Sequence, residues 1–217
     1  MLEAADWVAS YLQHVGDKPA LAQVSPGDIA ARLPQAPPEQ GESLEDILQD
    51  LDRLILPGIT HWNHPAFFAY FGISGSGPGI VGELICAALN VNAMLWRTSP
   101  SATELEQPTL QWVADMLDLP DDWFGEITDT ASASTLYALA AAREAVSLDI
   151  REHGMARRED LPPLTIYTST QAHSSIDKAA IALGIGRRWT RHLVTDTEFR
   201  MGADLLELAS KTTLAPE

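Results

Sequence analysis

From Glu126 onward, the chain alternates short strand-like segments with helical segments, and this alternation most limits the folds open to it. The strand-like segments are Glu126–Thr128, Leu164–Ser169 and Arg188–Val194, and the helical segments are Ser132–His153, Ser174–Leu183 and Ala203–Ser210. Strands that alternate with helices form a largely parallel sheet with helices packed against it. The sequence therefore predicts an α/β fold for this part of the chain.

The beginning of the chain has a different pattern. Met1–Val15 carries apolar residues at helical spacing, and Gly16–Gln40 is rich in proline and alanine, which favours extended or turned backbone. Ser43 opens a capping-box pattern before a second amphipathic helix that ends at Pro57-Gly58. Two amphipathic helices joined by such a connector make a poor independent domain, because their apolar stripes need an outside partner. We therefore predict an arm that packs on another surface, such as a second subunit.

Composition excludes some classes of partner. Lys and Arg number 14 against 30 Asp and Glu, which gives a formal net charge of -16. Nucleic acid and anionic membranes bind basic patches, so neither is an expected partner. The chain has one cysteine, Cys86, no apolar run long enough to cross a bilayer and no secretory pattern at its start. The expected location is the cytoplasm.

Two segments carry candidate chemistry. Thr128–Thr135 is rich in small and hydroxyl side chains at a predicted strand-to-helix junction, which suits either a bound phosphate or an ordinary helix cap. His173 follows the predicted strand Leu164–Ser169, at the sheet edge where α/β proteins bind ligands. Its imidazole could stack on a flat ring, move a proton or cap the next helix. The residues leave these alternatives open.

Two other motifs are weaker. The glycine-rich segment Gly72–Gly79 does not have the GxGxxG spacing of a dinucleotide loop, and we interpret it as a mobile or pocket-lining loop. His61 and His64 are three residues apart, but the flanking prolines disfavour a helix and no third ligand is evident. Packing or capping is favoured over a metal site, and no metal is expected.

Taken in order, several blocks of the sequence resemble the group II pyridoxal-phosphate decarboxylases, the family of aromatic-L-amino-acid, histidine and glutamate decarboxylases. The resemblance starts near Val24-Ser25-Pro26-Gly27 and covers most of the chain. The blocks are Leu56–Trp62, His64–Phe71, Trp96–Pro100, Thr103–Glu106, Thr130–Leu136, Tyr167–Ser169 and Ala172–Ser175. The aromatic-amino-acid branch is the most similar.

This resemblance implies a type I pyridoxal-phosphate-dependent fold, with residues 1–60 as a dimer-wrapping helical arm and 61–217 as the first part of the large cofactor-binding domain. It implies a homodimer that removes carbon dioxide from an L-amino acid with pyridoxal 5'-phosphate. Thr130, Ala131 and Ser132 match the phosphate-binding segment, and His173 matches the catalytic histidine stacked on the cofactor ring. Five positions match the substrate pocket, with Met94 reaching it across the subunit interface: Trp62, Tyr70, Phe71, Ile73 and Met94.

Two positions depart from the family pattern. Asp129 and Thr130 stand where glycine or serine is usual, and an acid beside a phosphate is unfavourable unless it points away. Ile73 stands where aromatic-specific enzymes carry threonine, and it cannot donate a hydrogen bond to a ring hydroxyl. This change favours an aromatic substrate without ring hydroxyls, or another apolar one.

The lysines Lys18, Lys178 and Lys211 lie outside the family's His-Lys context for the Schiff-base lysine. We therefore predict that the 217 residues do not turn over by themselves, and that unpaired sheet edges promote their association. Two alternatives stay open: another type I pyridoxal-phosphate lyase, or a non-catalytic remnant that dimerises with a full-length homologue.

Overall fold

The computed structural model describes residues 1–73, 75–120 and 122–213, so Ser74 of the Gly72–Gly79 loop lies outside the described residues. The chain forms two compact units, Met1–Thr103 and Glu104–Glu217. The helices are α1 (Leu2–His14), α2 (Leu44–Asp50), α3 (Gly77–Leu89), α4 (Pro100–Met116), α5 (Ala131–Ala145), α6 (Ile150–His153), α7 (Ser175–Ala182) and α8 (Ala203–Thr213). The strands are β1 (Ile166–Ser169) and β2 (Thr190–Leu193). In those ranges no helix combines the length and apolar character that crossing a bilayer needs.

The two predicted helices of the first unit are confirmed. The Ser43 hydroxyl accepts a hydrogen bond from the Asp46 amide at 3.1 Å and so caps α2. The helix does not run regularly to its end, because a π-helical turn, Leu51–Ile55, and a 3₁₀ turn, Leu56–Gly58, follow α2. Pro57 has no amide hydrogen, so the α-helical ladder cannot continue through it.

Many apolar side chains of the first unit are exposed to solvent. On α3, the exposed fractions of Val81, Leu84 and Ile85 are 54%, 50% and 52%. Ile47 on α2 is also half exposed. Accessible apolar helix faces of this kind are suited to packing against a further surface.

The second unit contains the predicted parallel pairing. β1 and β2 pair in parallel from Ile166 opposite Thr190 to Ser169 opposite Leu193, and α7 lies between them in the chain. α5 packs against α7, where Ala179 and Ala180 are buried. The predicted α/β alternation is therefore confirmed as a βαβ unit with a second helix packed on its crossover helix.

The predicted strand Glu126–Thr128 is wrong. This segment is irregular, and no described segment pairs with it. The Thr128 hydroxyl instead donates to the Thr130 carbonyl at 3.0 Å and lies 2.5 Å from the Ser134 hydroxyl, which turns the chain into α5. A strand exists only through its hydrogen-bonded neighbour, so β-branched residues without a neighbour remain a loop.

The predicted single helix Ser132–His153 is also wrong, because α5 ends at Ala145 and α6 begins at Ile150. Ser147 and Asp149 between them have positive φ angles of 54° and 56°. The freed carbonyl of Leu148 accepts a hydrogen bond from the Arg158 guanidinium at 3.2 Å. That long-range partner stabilises the break, which local helix propensity does not encode.

Candidate functional site

In the second unit, helices α5 and α7 begin within about one helical turn of each other. Near their starts, the Thr135 and Ser175 hydroxyl oxygens are 3.4 Å apart, and eight residues further along each helix Arg143 donates to the Leu183 carbonyl at 3.0 Å. Equal offsets at both contacts mean that α5 and α7 run parallel and in register. The first turn of α7 therefore lies beside the second turn of α5, and the positive ends of both helix dipoles point the same way.

The same end of this unit holds the carboxyl ends of both strands. The Thr170 amide, just after β1, donates to the Leu193 carbonyl at the end of β2, at 2.8 Å. The chain then turns through Gln171 and Ala172 into His173 and α7. Since open α/β sheets bind ligands at the carboxyl ends of their strands, this end is the candidate site.

The first turn of α5 offers unpaired donors. Thr130 is the N-cap, and its hydroxyl accepts from the Ala133 amide at 3.2 Å. The amides of Ala131 and Ser132 precede the intrahelical ladder and have no acceptor within residues 122–213. These two amides and the exposed Ser132 hydroxyl suit an anion such as a phosphate. The Thr130 bond shows that a helix cap and free donors for a phosphate coexist in this turn.

His173 lies at the start of α7. Its Nδ1 accepts a hydrogen bond from the Ser175 amide at 3.2 Å, so the imidazole caps α7, whose N-cap residue Ser174 makes no side-chain cap bond. An amide can only donate, so Nδ1 is unprotonated and the neutral ring carries its proton on Nε2. The ring is exposed. Capping therefore leaves Nε2 and the ring faces accessible to a ligand.

Thr135 and Ser175 connect these two parts of the site, and the sequence reasoning missed both. Thr135 donates to the Ala131 carbonyl at 2.9 Å, one helical turn back, while its oxygen faces Ser175. Ser175 is buried, with 6% of its surface exposed. Its position directly after His173-Ser174 was visible in the sequence, but its partner on α5 was not.

The neighbouring acid, Asp129, is exposed and stands directly before the cap residue Thr130. It makes no hydrogen bond or ion pair with any residue in 122–213. A carboxylate at this position in the chain is unfavourable for anion binding unless it points away from the amides.

The predicted substrate-pocket residues belong to the first unit. Trp62 stacks on Phe67 and on Tyr70, with ring centroids 4.8 Å and 5.8 Å apart. Trp62 and Ile73 line a cavity of about 430 Å³ with Leu12 and Val15 of the N-terminal segment. The exposed fractions of the predicted pocket residues are 45% for Trp62, 91% for Tyr70, 92% for Phe71, 77% for Ile73 and 76% for Met94. The structure therefore groups Trp62, Tyr70 and Ile73, and leaves Phe71 and Met94 as exposed side chains outside that cavity's lining.

The two histidines of the His61–His64 motif are engaged in packing contacts. His61 is 3% exposed, and its Nδ1 is 2.8 Å from the Tyr11 hydroxyl. His64 Nδ1 accepts from the Ala66 amide at 2.9 Å, and its Nε2 lies 3.2 Å from the Gly16 carbonyl. The described residues contain no group of three or more His, Cys, Asp or Glu side chains that could hold a metal ion.

An α/β unit whose strand ends meet two adjacent helix N-termini, one with free amides and one with an exposed imidazole, is the framework of a phosphorylated-cofactor site. The family model of the pyridoxal-dependent decarboxylase conserved domain matches residues 26–213. The chain belongs to the pyridoxal-dependent decarboxylase family, whose cofactor is pyridoxal phosphate.

Individual relatives agree with this assignment. The aromatic-L-amino-acid decarboxylase of Cavia porcellus is 36% identical, over 95% of this chain and 45% of its own length. The phenylacetaldehyde synthase of Arabidopsis thaliana is 38% identical, over 88% of this chain and 39% of its own. The crystal structure of Catharanthus roseus tryptophan decarboxylase with L-tryptophan superposes with a TM-score of 0.88 at 31% identity, covering 98% of this chain and 45% of that one. The fold is thus the type I fold of pyridoxal-phosphate decarboxylases, and the chain spans less than half the length of these relatives.

The residues present fit this cofactor. Its phosphate needs hydrogen-bond donors, which Ala131, Ser132 and the α5 N-terminus provide. Its flat pyridine ring needs a planar group beside it, which the exposed imidazole of His173 provides one helix away.

Proposed function

We propose that this chain forms the phosphate and ring-face side of an L-amino-acid decarboxylase site that uses pyridoxal 5'-phosphate. The observation that carries the proposal is the parallel, in-register packing of α5 and α7, which puts the turn Thr130–Ser132 beside the segment that holds His173. When bound, pyridoxal phosphate accepts into its ring the electron pair that remains on the amino acid after carbon dioxide leaves.

The residues of this chain have distinct roles in that proposal. The amides of Ala131 and Ser132 and the Ser132 hydroxyl bind the phosphate, while Thr130 holds the turn in shape. His173 is the proposed catalytic residue: its exposed ring would stack on the cofactor, and the bond from the Ser175 amide to Nδ1 orients Nε2. A donor at this position can hold a substrate carboxylate by a charge-assisted hydrogen bond.

The proposed substrate is an L-amino acid with an aromatic or other apolar side chain. The Trp62, Phe67 and Tyr70 stack and the apolar Ile73 supply flat, hydrophobic contact area for such a side chain. We propose that Phe71 extends this surface, and that Met94 completes it in a homodimer. From the resemblance we also propose a dimer-wrapping arm, residues 1–60, and the first part of a cofactor domain, residues 61–217. The acidic composition with a single cysteine supports a cytoplasmic location.

Cofactor binding by the 217-residue chain tests the proposal directly. Pyridoxal phosphate is titrated against the chain by absorbance, with unphosphorylated pyridoxal as the matched probe. We expect the phosphorylated compound to bind more tightly, and a Ser132→Ala variant to lose part of that difference. Equal binding of the two compounds would show that no phosphate site exists.

We further propose that none of the three lysines is the covalent cofactor lysine. Lys178 is exposed on α7, Lys211 pairs with Glu207 at 2.5 Å, and Lys18 lies in the first unit. Borohydride reduction with pyridoxal phosphate, followed by peptide mapping, should give only the slow labelling of these lysines that unphosphorylated pyridoxal also gives. A stoichiometric, phosphate-dependent adduct on Lys178 or Lys211 would contradict this.

One relative is a phenylacetaldehyde synthase, so conversion of an amino acid to an aldehyde is the second candidate reaction. A longer form of the protein that includes a cofactor lysine distinguishes the two reactions. With L-phenylalanine, decarboxylation gives an amine and the synthase reaction gives an aldehyde. A third outcome, no product together with stable association with an intact homologue, would favour the non-catalytic alternative.

A further inference from the structure

The histidine pair three residues apart has a structural role outside the cofactor site. His61 and His64 each contact the segment that begins with α1, and together they form what we call the histidine clasp. His61 Nδ1 meets the Tyr11 hydroxyl on α1 at 2.8 Å, and His64 Nε2 meets the Gly16 carbonyl at 3.2 Å. Two further bonds join the same segments, since the His61 amide donates to the Ala20 carbonyl and the Ala22 amide donates to the Thr60 hydroxyl.

The hydrogen bonds of His64 in this clasp indicate which of its two ring nitrogens carries a proton. The Ala66 amide can only donate, so His64 Nδ1 must accept and carries no proton. The Gly16 carbonyl can only accept, so Nε2 must donate to it. Both bonds are satisfied by the tautomer that carries its proton on Nε2.

A positive charge on the His61 ring is disfavoured by burial. It is 3% exposed, and burial, with additional repulsion from Lys18 and His64, holds its pKa below the ordinary value. Either Nδ1 or the Tyr11 hydroxyl can be the donor in this contact, so the cost of protonating His61 comes from placing a charge on a buried ring. On the Tyr11 side, His14, Lys18 and Asp52 line the same surface cavity, and Asp52 is already bonded to the Trp7 indole at 2.9 Å.

The clasp also bears on the aromatic stack, because Trp62 lies between the two histidines. Trp62 shares its cavity with Leu12 and Val15, which the clasp holds in place from both sides. Release of the N-terminal segment would therefore remove one wall of that cavity.

We propose that the histidine clasp is a pH-sensitive latch that docks residues 1–22 onto the segment 60–66 while the buried His61 imidazole is neutral and releases them on acidification. A folded-state pKa below the unfolded value of about 6.5 means that the undocked segment binds more protons. Docking is therefore fully favoured above about pH 6.5 and is weakened as the pH falls below it.

Hydrogen exchange of peptides from residues 1–22, corrected for intrinsic rates, measures the docking between pH 7.5 and 5.5. We expect protection to fall with pH in the wild-type chain. In His61→Asn, whose side-chain oxygen can still accept from Tyr11, we expect protection with a weaker pH dependence. In Tyr11→Phe we expect a loss of about fivefold at pH 7.5, the cost of one unmade hydrogen bond.

A matched control is His14→Gln, because His14 is exposed on α1 and bonds only to the Ser10 carbonyl of its own helix. This variant should keep the wild-type pH profile. Protection that does not change between pH 7.5 and 5.5 in the wild-type chain would overturn the latch, even if Tyr11→Phe fails to fold. So would a His61→Asn profile that equals the wild-type one.

Discussion

The hydroxyl oxygens of Thr135 and Ser175 lie 3.4 Å apart, although 40 residues separate them in the chain. The Thr135 hydroxyl has one hydrogen and donates it to the Ala131 carbonyl at 2.9 Å, so Ser175 is the donor in the contact between the two. Thr135 thereby touches the phosphate turn on one side and the start of α7 on the other. It links the proposed phosphate and ring-face groups.

Replacing Thr135 by valine keeps its shape and removes this link. We expect Thr135→Val to lower the free energy of unfolding by about 1 kcal/mol, because Ser175 loses its acceptor, and to weaken pyridoxal phosphate binding. Thr135→Ser keeps the hydroxyl and should bind the cofactor like the wild-type chain. Urea unfolding and cofactor titration measure the two effects, and unchanged cofactor binding in the valine variant would show that the link has no role in the site.

Thr130 combines a structural role with a place beside the proposed phosphate site, and two substitutions separate them. Thr130→Ala loses the bond to the Ala133 amide and should cost about 1 kcal/mol of stability. Thr130→Asp keeps a good N-cap but places a carboxylate at the anion site. We expect the aspartate variant to melt like the wild-type chain and to bind pyridoxal phosphate less tightly than the alanine variant. Tighter binding by the aspartate variant would exclude this turn as the phosphate site.

His173 can be tested in the same way, because its cap bond and its ring are different properties. Asparagine can accept from the Ser175 amide but has no ring, whereas phenylalanine has a ring but cannot accept. We expect His173→Asn to keep the thermal midpoint and lose about three- to tenfold in cofactor affinity. His173→Phe should show the reverse order, with a lower midpoint and better retained affinity. If both variants bind the cofactor like the wild-type chain, the imidazole does not stack on it.

Local sequence signals predicted the parts of the structure that depend on neighbouring residues. The Ser43 cap follows from hydroxyl placement before an apolar stripe, and the β1–α7–β2 alternation follows from strand and helix periodicity. These features need only a few consecutive residues, which is why pattern reasoning finds them.

The errors and omissions all involve partners distant in the chain. The break between α5 and α6 depends on Arg158 reaching the Leu148 carbonyl, and Glu126–Thr128 stays irregular since no strand pairs with it. The Tyr11–His61 contact spans 50 residues. Nothing in a single sequence specifies which hydroxyl meets which imidazole across such a distance, so these contacts became visible only in three dimensions.

Asp129 is the position where this chain is least suited to a phosphate, and its charge gives the last prediction. The carboxylate is exposed, precedes the Thr130 cap, and has no cationic partner in residues 122–213. Asp129→Asn removes the negative charge at constant shape, so we expect the affinity for pyridoxal phosphate to rise by about two- to threefold at low ionic strength. The gain should shrink as salt is added, because exposed charges are screened, and unphosphorylated pyridoxal should show little of it. Isothermal titration at two salt concentrations measures this dependence. An equal gain for both compounds would mean that Asp129 acts on the ring site or on folding, and not on the phosphate.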